Sequence, residues 1–375
     1  MKTKSISTVL MCWLLVIAYP LYAATTVAKS KIQIALLLDT SNSMEGLIDQ
    51  AKAQLWKMVN QLANAKRGKE EVEIEIALFE YGNDNLALGE GYVRIVSTLT
   101  NDVDDISEKL FALKTRGGSE YCGWVIQDAV NNLKWSNDSN DLKIIVIAGN
   151  EPFDQGPKNY KNPCQKAAQK GIVINTIFCG NWQEGIKTKW QDGAKIGNGD
   201  YFNIEQDLKI VHIPTPYDDE LMKLNEKLNA TYIRYGTLGV SKSQKQAEQD
   251  KNADGWGKAN SSQRTVYKAK EQYRNESWDL VDATDKNSEL IQRLKPEELP
   301  PNMQKMTVNQ RIEYVNKVRA ERLKLKKEII IIDGKMTDFI NQQSAKDSNS
   351  NTLDMVMKNS LKKQIVSKGY TMKEK

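Results

Sequence analysis

Histidine is almost missing from this 375-residue chain, which has one, His212, and cysteine is scarce, with four. A centre built on imidazoles or paired thiolates therefore has little to draw on. His212 stands in KIVHIPTP with no nucleophile in register, so it reads as a structural histidine and not a general base. No CxxC spacing points to zinc, and HExxH, GxSxG and P-loop motifs are absent. These gaps remove the commonest signatures of hydrolases and nucleotide enzymes, and the expectation is that the protein is not an enzyme.

Long apolar runs are scarce too. Lys2 and Lys4 precede the run Val9 to Leu21, and Leu21-Tyr22-Ala23 offers a small residue at the cut. This pattern predicts a cleaved export signal over residues 1–23, too short and wrongly flanked for a membrane span. Cys12 lies in mid-run without the small residue that precedes a lipidated cysteine. No second run of about 18 apolar residues follows, so no stable membrane span is expected after cleavage. The expected compartment is extracytoplasmic, the periplasm first and secretion as the alternative. There an oxidising environment favours one disulfide among Cys122, Cys164 and Cys179, with one thiol left over.

What is present is ordinary for a folded protein, with 40% apolar and 27% charged residues. The length suits one large domain with an appendage, or two domains. Charge is uneven. Without residues 1–23 the net charge is +3; residues 24–213 carry 21 basic and 25 acidic groups, and residues 214–375 carry 30 and 23. Lysine and glutamate interspersed on helices describe a solvated face, so nucleic acid is not an expected partner.

Apolar spacing alternates between strand and helix in the first half. Ile32–Leu38, Val72–Phe79, Tyr92–Leu99, Leu142–Ala148 and Ile172–Phe178 read as strands, with helical spacing from Leu47 to Leu62, Ile106 to Leu113, Val125 to Leu133 and near Cys164. The order predicts an α/β fold, a doubly wound and mostly parallel sheet covered on both faces. The short connection over residues 80–91 predicts one antiparallel edge strand. Residues 241–263, polar and rich in Gln and Asn, read as a linker or loop, and residues 264–375 as a helical, basic region. Within that region a capping box at Thr307–Gln310 precedes apolar positions from Ile312 to Phe339, spaced by three or four with one gap at Arg322. The long helix they predict has an apolar face for its own protein, with a partner groove as the alternative. A last helix is expected from Leu353 to Ser367, stopped by Gly369. No internal repeat is visible.

The chemistry gathers where the first strand ends. LLLDTSNSM, residues 36–44, sets Asp39, Ser41 and Ser43 at alternate positions as the chain leaves a buried strand. One carboxylate and two hydroxyls with no nearby His or Cys suit magnesium or manganese, and carboxyl ends of strands are where open α/β sheets bind ligands. The competing explanation is that Ser41 or Ser43 caps the helix that begins before Leu47.

Asp39-x-Ser41-x-Ser43 after an apolar strand resembles the metal-ion-dependent adhesion site (MIDAS) of von Willebrand factor type A (VWA) domains, and GGSEYCGWVIQDAV places Ser119 where that family has a second-loop hydroxyl. The third element departs from the pattern: in IVIAGNEPF, Gly149 falls where the family has an aspartate. The resemblance covers about residues 31–230. It implies a binding module that holds Mg2+ or Mn2+ through Asp39, Ser41, Ser43, Ser119 and Glu151, or less readily Asn150, and completes the ion's shell with a carboxylate from a protein partner. Glu120, Asn150, Asn181 and Trp182 would form the rim. All three cysteines map to this face, with Cys122–Cys164 the preferred pair. The alternatives are a scaffold acting through its basic C-terminal helices and, less favoured, a metal-dependent hydrolase using Glu120 and Glu151.

Overall fold

The computed structural model describes residues 29–68, 70–205, 213–344 and 353–372. The expected export signal over residues 1–23, with Cys12, and His212 lie outside the described residues.

Strand β1 (Lys31–Asp39) leads through α1 (Glu45–Leu62) and the short strands β2 (Ala65–Arg67) and β3 (Glu70–Glu71) to β4 (Glu73–Tyr81) and β5 (Val93–Thr100). Then come α2 (Val103–Ala112), α3 (Cys122–Asn132), β6 (Leu142–Gly149), α4 (Lys161–Gln169), β7 (Ile172–Cys179), α5 (Trp182–Lys187), α6 (Trp190–Ile196) and β8 (Tyr201–Ile204). Six of these strands form one sheet in the order β5-β4-β1-β6-β7-β8. All its pairings are parallel except β4 with β5, so the expected antiparallel edge strand is there. The central strands are continuous apolar runs because helices cover both faces. Ile32, Ile34 and Leu38 of β1 pack with Leu47, Leu55 and Trp56 of α1, while Ala35 and Leu37 pack on the other side with Val125, Ile126 and Ala129 of α3.

The second half is helical: α7 (Asp218–Asn229), α8 (Gly239–Gly255), α9 (Lys258–Lys268), α10 (Leu280–Lys286), α11 (Leu290–Arg293), α12 (Val308–Ser344) and α13 (Leu353–Ser367), with β9 (Thr371–Met372) at the end. Residues 241–263 are therefore not a linker. Their polar side chains are spent on partners: Lys242 and Lys245 pair with Asp102 and Asp105 at 2.6 and 2.9 Å, and Ser107 donates to Gln249 at 2.8 Å. Arg264, fully buried over the Trp56 ring, pairs with Asp104 at 2.6 Å and with Asp250. A helix with almost no apolar face forms here because α2 supplies its counter-charges.

The gap at Arg322 in the α12 pattern is likewise a buried contact. Its guanidinium pairs with Asp279 at 2.6 Å and Asp282 at 2.9 Å, while Leu325, Ile329, Ile332 and Met336 pack against α7 and Val266 of α9. Thr307 and Gln310 exchange the two hydrogen bonds of the expected capping box. Helix α7 thus belongs to a core shared with α9 and α12 rather than to the sheet. Helix α13 returns to the first half, where Leu361, Ile365 and Tyr370 join the core under α1 and β9 pairs with β2. Among the described residues no helix is long and apolar enough to cross a membrane.

Candidate metal-binding site at the strand ends

Because β4, β1, β6 and β7 run parallel, Tyr81, Asp39, Gly149 and Cys179 all end at one edge of the sheet. Asp39 lies opposite Tyr81 in register and is 0% exposed. Past Asp39 the chain turns sharply, with the Ser41 N–H donating to Asp39 Oδ1 at 2.7 Å. The Ser41 and Ser43 hydroxyls lie 3.2 Å apart. Neither caps the helix that follows, for no side-chain hydrogen bond closes the start of the 3-10 turn at 42–44 or of α1. This disposes of the capping explanation and leaves both hydroxyls at the site. Asn150, one residue past β6, donates to Ser43 Oγ at 3.1 Å.

The loop before α3 contributes a second carboxylate. Glu120 is 3% exposed, and its N–H donates to Gln155 Oε1 at 2.7 Å, fastening the loop to the one that follows β6. Gly82, at φ 78°, passes beside the pair; a Cβ there would stand 2.6 Å from Glu120 Cγ and 2.9 Å from Asp39 Oδ1. Only glycine fits that crossing without a shift of its neighbours. Ser119, half-buried, directly precedes Glu120.

Burial raises the pKa of both carboxyls. For Asp39, hydrogen bonds from a protonated Glu120 and from Ser41 oppose the rise; for Glu120, the charge of Asp39 adds to it. Held as two ionised groups, the pair leaves Asp39 Oδ2 and Glu120 Oε2 buried with no hydrogen-bond partner among the described residues. Among the described residues no group of three or more His, Cys, Asp and Glu side chains is placed to hold a metal, so any shell here would need further oxygens beside the two carboxylates. Two buried carboxylates flanked by hydroxyls form an all-oxygen donor set of the kind that suits hard divalent cations such as magnesium or manganese.

The remaining predicted residues are arranged around this centre. Glu151 is half-buried and reaches Asp39 and Glu120 through its charge alone, with its carbonyl accepting from Trp190 Nε1 at 2.8 Å. Asn181 caps α5 through a bond from the Gln183 N–H at 2.9 Å. Trp182 is 41% exposed and lies on the Tyr201 ring at 4.4 Å.

Gly149 marks the main departure. A Cβ at this position would overlap the Tyr81 hydroxyl and lie 3.0 Å from Asp39 Oδ2. Tyr81 fills the space instead, its hydroxyl donating to the Ala148 carbonyl at 3.0 Å. No sequence signal marked Tyr81, whose role follows only from its register beside Asp39.

The expected disulfide does not join any two of Cys122, Cys164 and Cys179. Cys179 faces the α1 side of the sheet whereas Cys122 and Cys164 lie on the α3 side, and the Cys122 sulfur is 3.9 Å from the Tyr81 hydroxyl. Burial pushes the Cys122 thiol well up and the Cys164 thiol to about 12, so both stay protonated at neutral pH.

Residues 33–204 match the family model for the von Willebrand factor type A domain. The chain carries a von Willebrand factor type A domain. The match ends with β8, leaving α7 outside it. Among solved structures, the SpRpn10 VWA domain is 18% identical at a TM-score of 0.35, covering 46% of this chain and 87% of that one. The VWA domain of the type V pili tip protein Mfa5 from Porphyromonas gingivalis is 13% identical at a TM-score of 0.35, covering 47% and 90%. Proximal thread matrix protein 1 from the mussel byssus, in a structure with a zinc-occupied MIDAS motif, is 14% identical at a TM-score of 0.36, covering 47% and 42%. In another crystal form of that mussel protein this chain spans 41% of the length. No curated protein matches the chain.

Proposed function

We propose that this is an exported binding protein, periplasmic or secreted, whose strand-end site holds magnesium or manganese and uses it to take a carboxylate presented by a protein partner. The observation that carries the reading is the pairing of Asp39, buried with an unpartnered oxygen, with two serine hydroxyls that cap nothing. Asp39, Ser41 and Ser43 would hold the ion, which would supply Lewis acidity toward an incoming oxygen. Asn150 orients Ser43, and Asn181 and Trp182 stand exposed on the same edge, where a partner would land. Binding rather than catalysis is the proposed role, as the site pairs its carboxylates with hydroxyls and offers no activated nucleophile.

Recognition through the C-terminal helices has less support, because α9 and α13 are packed onto α1 and the main apolar stripe of α12 onto α7. A random peptide display library panned against the full chain in Mg2+ tests the proposal. Selected peptides should centre on Asp or Glu, elute with EDTA and be lost with Asp39→Ala. Peptides that lack acids or hold through EDTA would overturn it.

A further inference from the structure

We propose that Glu120 is a direct ligand of the cation, the second carboxylate of the site, supplied by the loop before α3. The inference rests on the metal-binding reading above and names a residue first placed on the rim.

Three observations carry it. Glu120 and Asp39 are two buried acids side by side, each with one oxygen lacking a partner, and neither has an ion pair with Lys or Arg among the described residues. Buried carboxylates are stable as a pair only when a cation or a shared proton compensates them. Second, the backbone is shaped to bring Glu120 inward: Gly82 leaves room for its Cγ, and the Gln155 side chain ties down its N–H. A rim residue needs neither arrangement. Third, the other acidic routes into the site are poor. Position 149 has no room for a side chain beneath the Tyr81 hydroxyl. Glu151 stays half-buried and does not converge with the other two acids into a metal-holding cluster. The donor set becomes Asp39, Glu120 and Ser41, whose N–H donates to Asp39 Oδ1, with Ser43, its hydroxyl 3.2 Å from that of Ser41, and Asn150 behind.

The test is Mn2+ binding to the full chain, followed by electron paramagnetic resonance of free Mn2+, for wild type, Asp39→Asn, Glu120→Gln and Glu151→Gln. Ligand charge sets affinity in such sites, so Glu120→Gln should weaken binding by about tenfold or more, with Glu151→Gln within about threefold of wild type. Thermal unfolding in EDTA provides the control. Glutamine keeps the size of Glu120 and removes a buried acid, so Glu120→Gln should melt no lower than wild type without metal and should lose the upward shift that Mn2+ gives wild type. Wild-type affinity in Glu120→Gln with loss in Asp39→Asn would overturn this inference and leave the metal site standing, the two acids then being a proton-sharing structural pair. Loss in Glu151→Gln alone would assign the second carboxylate there instead. No Mn2+ binding by wild type up to about 1 mM, the weak end for extracellular sites, would overturn both.

Discussion

Restoring an acid at the end of β6 should damage the protein. In Gly149→Asp the new Cβ overlaps the Tyr81 hydroxyl and lies 3.0 Å from Asp39 Oδ2. The backbone cannot retreat, for all eight residues of β6 are buried and the strand is paired with both β1 and β7. Tyr81 must therefore move and give up its bond to the Ala148 carbonyl. Overpacking costs about 1–3 kcal/mol and the lost hydrogen bond about 1 kcal/mol. A total of about 2–4 kcal/mol is a large share of the stability of a typical protein, about 5–15 kcal/mol. Urea unfolding in EDTA measures it, as a lower midpoint at unchanged slope. Adding Tyr81→Phe removes the blocking hydroxyl and should recover part of the loss. A Gly149→Asp protein within about 0.5 kcal/mol of wild type, the usual range for inconsequential changes, would refute the reasoning by showing that the space is not filled.

Other perturbations follow from the same structure. Burial opposes the charge of Asp250, yet Lys268 and Arg264 hold its carboxyl well below the usual range; Asp250→Asn leaves both cations buried and should cost about 3–5 kcal/mol at pH 7 in urea unfolding. A depressed carboxyl contributes its stability above its unfolded pKa and loses it below, so the gap between wild type and Asp250→Asn should close as the pH falls from about 4 toward 2. Cys122 and Cys164 should react with a thiol reagent only after denaturation, and dithiothreitol should leave the melting temperature unchanged; a lowered melting temperature would reveal a disulfide. Deleting residues 353–375 removes Ile365, Tyr370 and the Gln364–Asn175 bonds from the core under α1, and should lower the melting temperature of the whole protein in calorimetry rather than leave an intact first half.

The sheet was legible because doubly covered strands must be apolar throughout, as in Ile32–Leu38, and because the intervening helices spell their period with Leu47, Leu55 and Val125. Asp39, Ser41 and Ser43 could be found at a strand end since alternate spacing and chain direction place them together. Other features depend on distant pairings that local patterns do not encode. Helix α8 looked like a linker because its partners Asp102 and Asp105 lie about 140 residues away in the chain, and Arg322 looked like a defect in a stripe because Asp279 and Asp282 were not in view. The spacing of Glu120 from Ser119 does not say which way its side chain turns; Gly82 and Gln155 decide that. The disulfide expectation failed because compartment chemistry does not say where a thiol points: Cys179 lies on the opposite face of the sheet from the other two, and the Cys122 sulfur sits against the Tyr81 hydroxyl.

The most direct test of the central claim is a calorimetric titration of Mg2+ and Mn2+ into the full chain and into Asp39→Ala. Saturable binding is expected for the first and none for the second. An absence of binding up to about 1 mM ion, or binding that survives Asp39→Ala, would contradict a metal site at the end of β1.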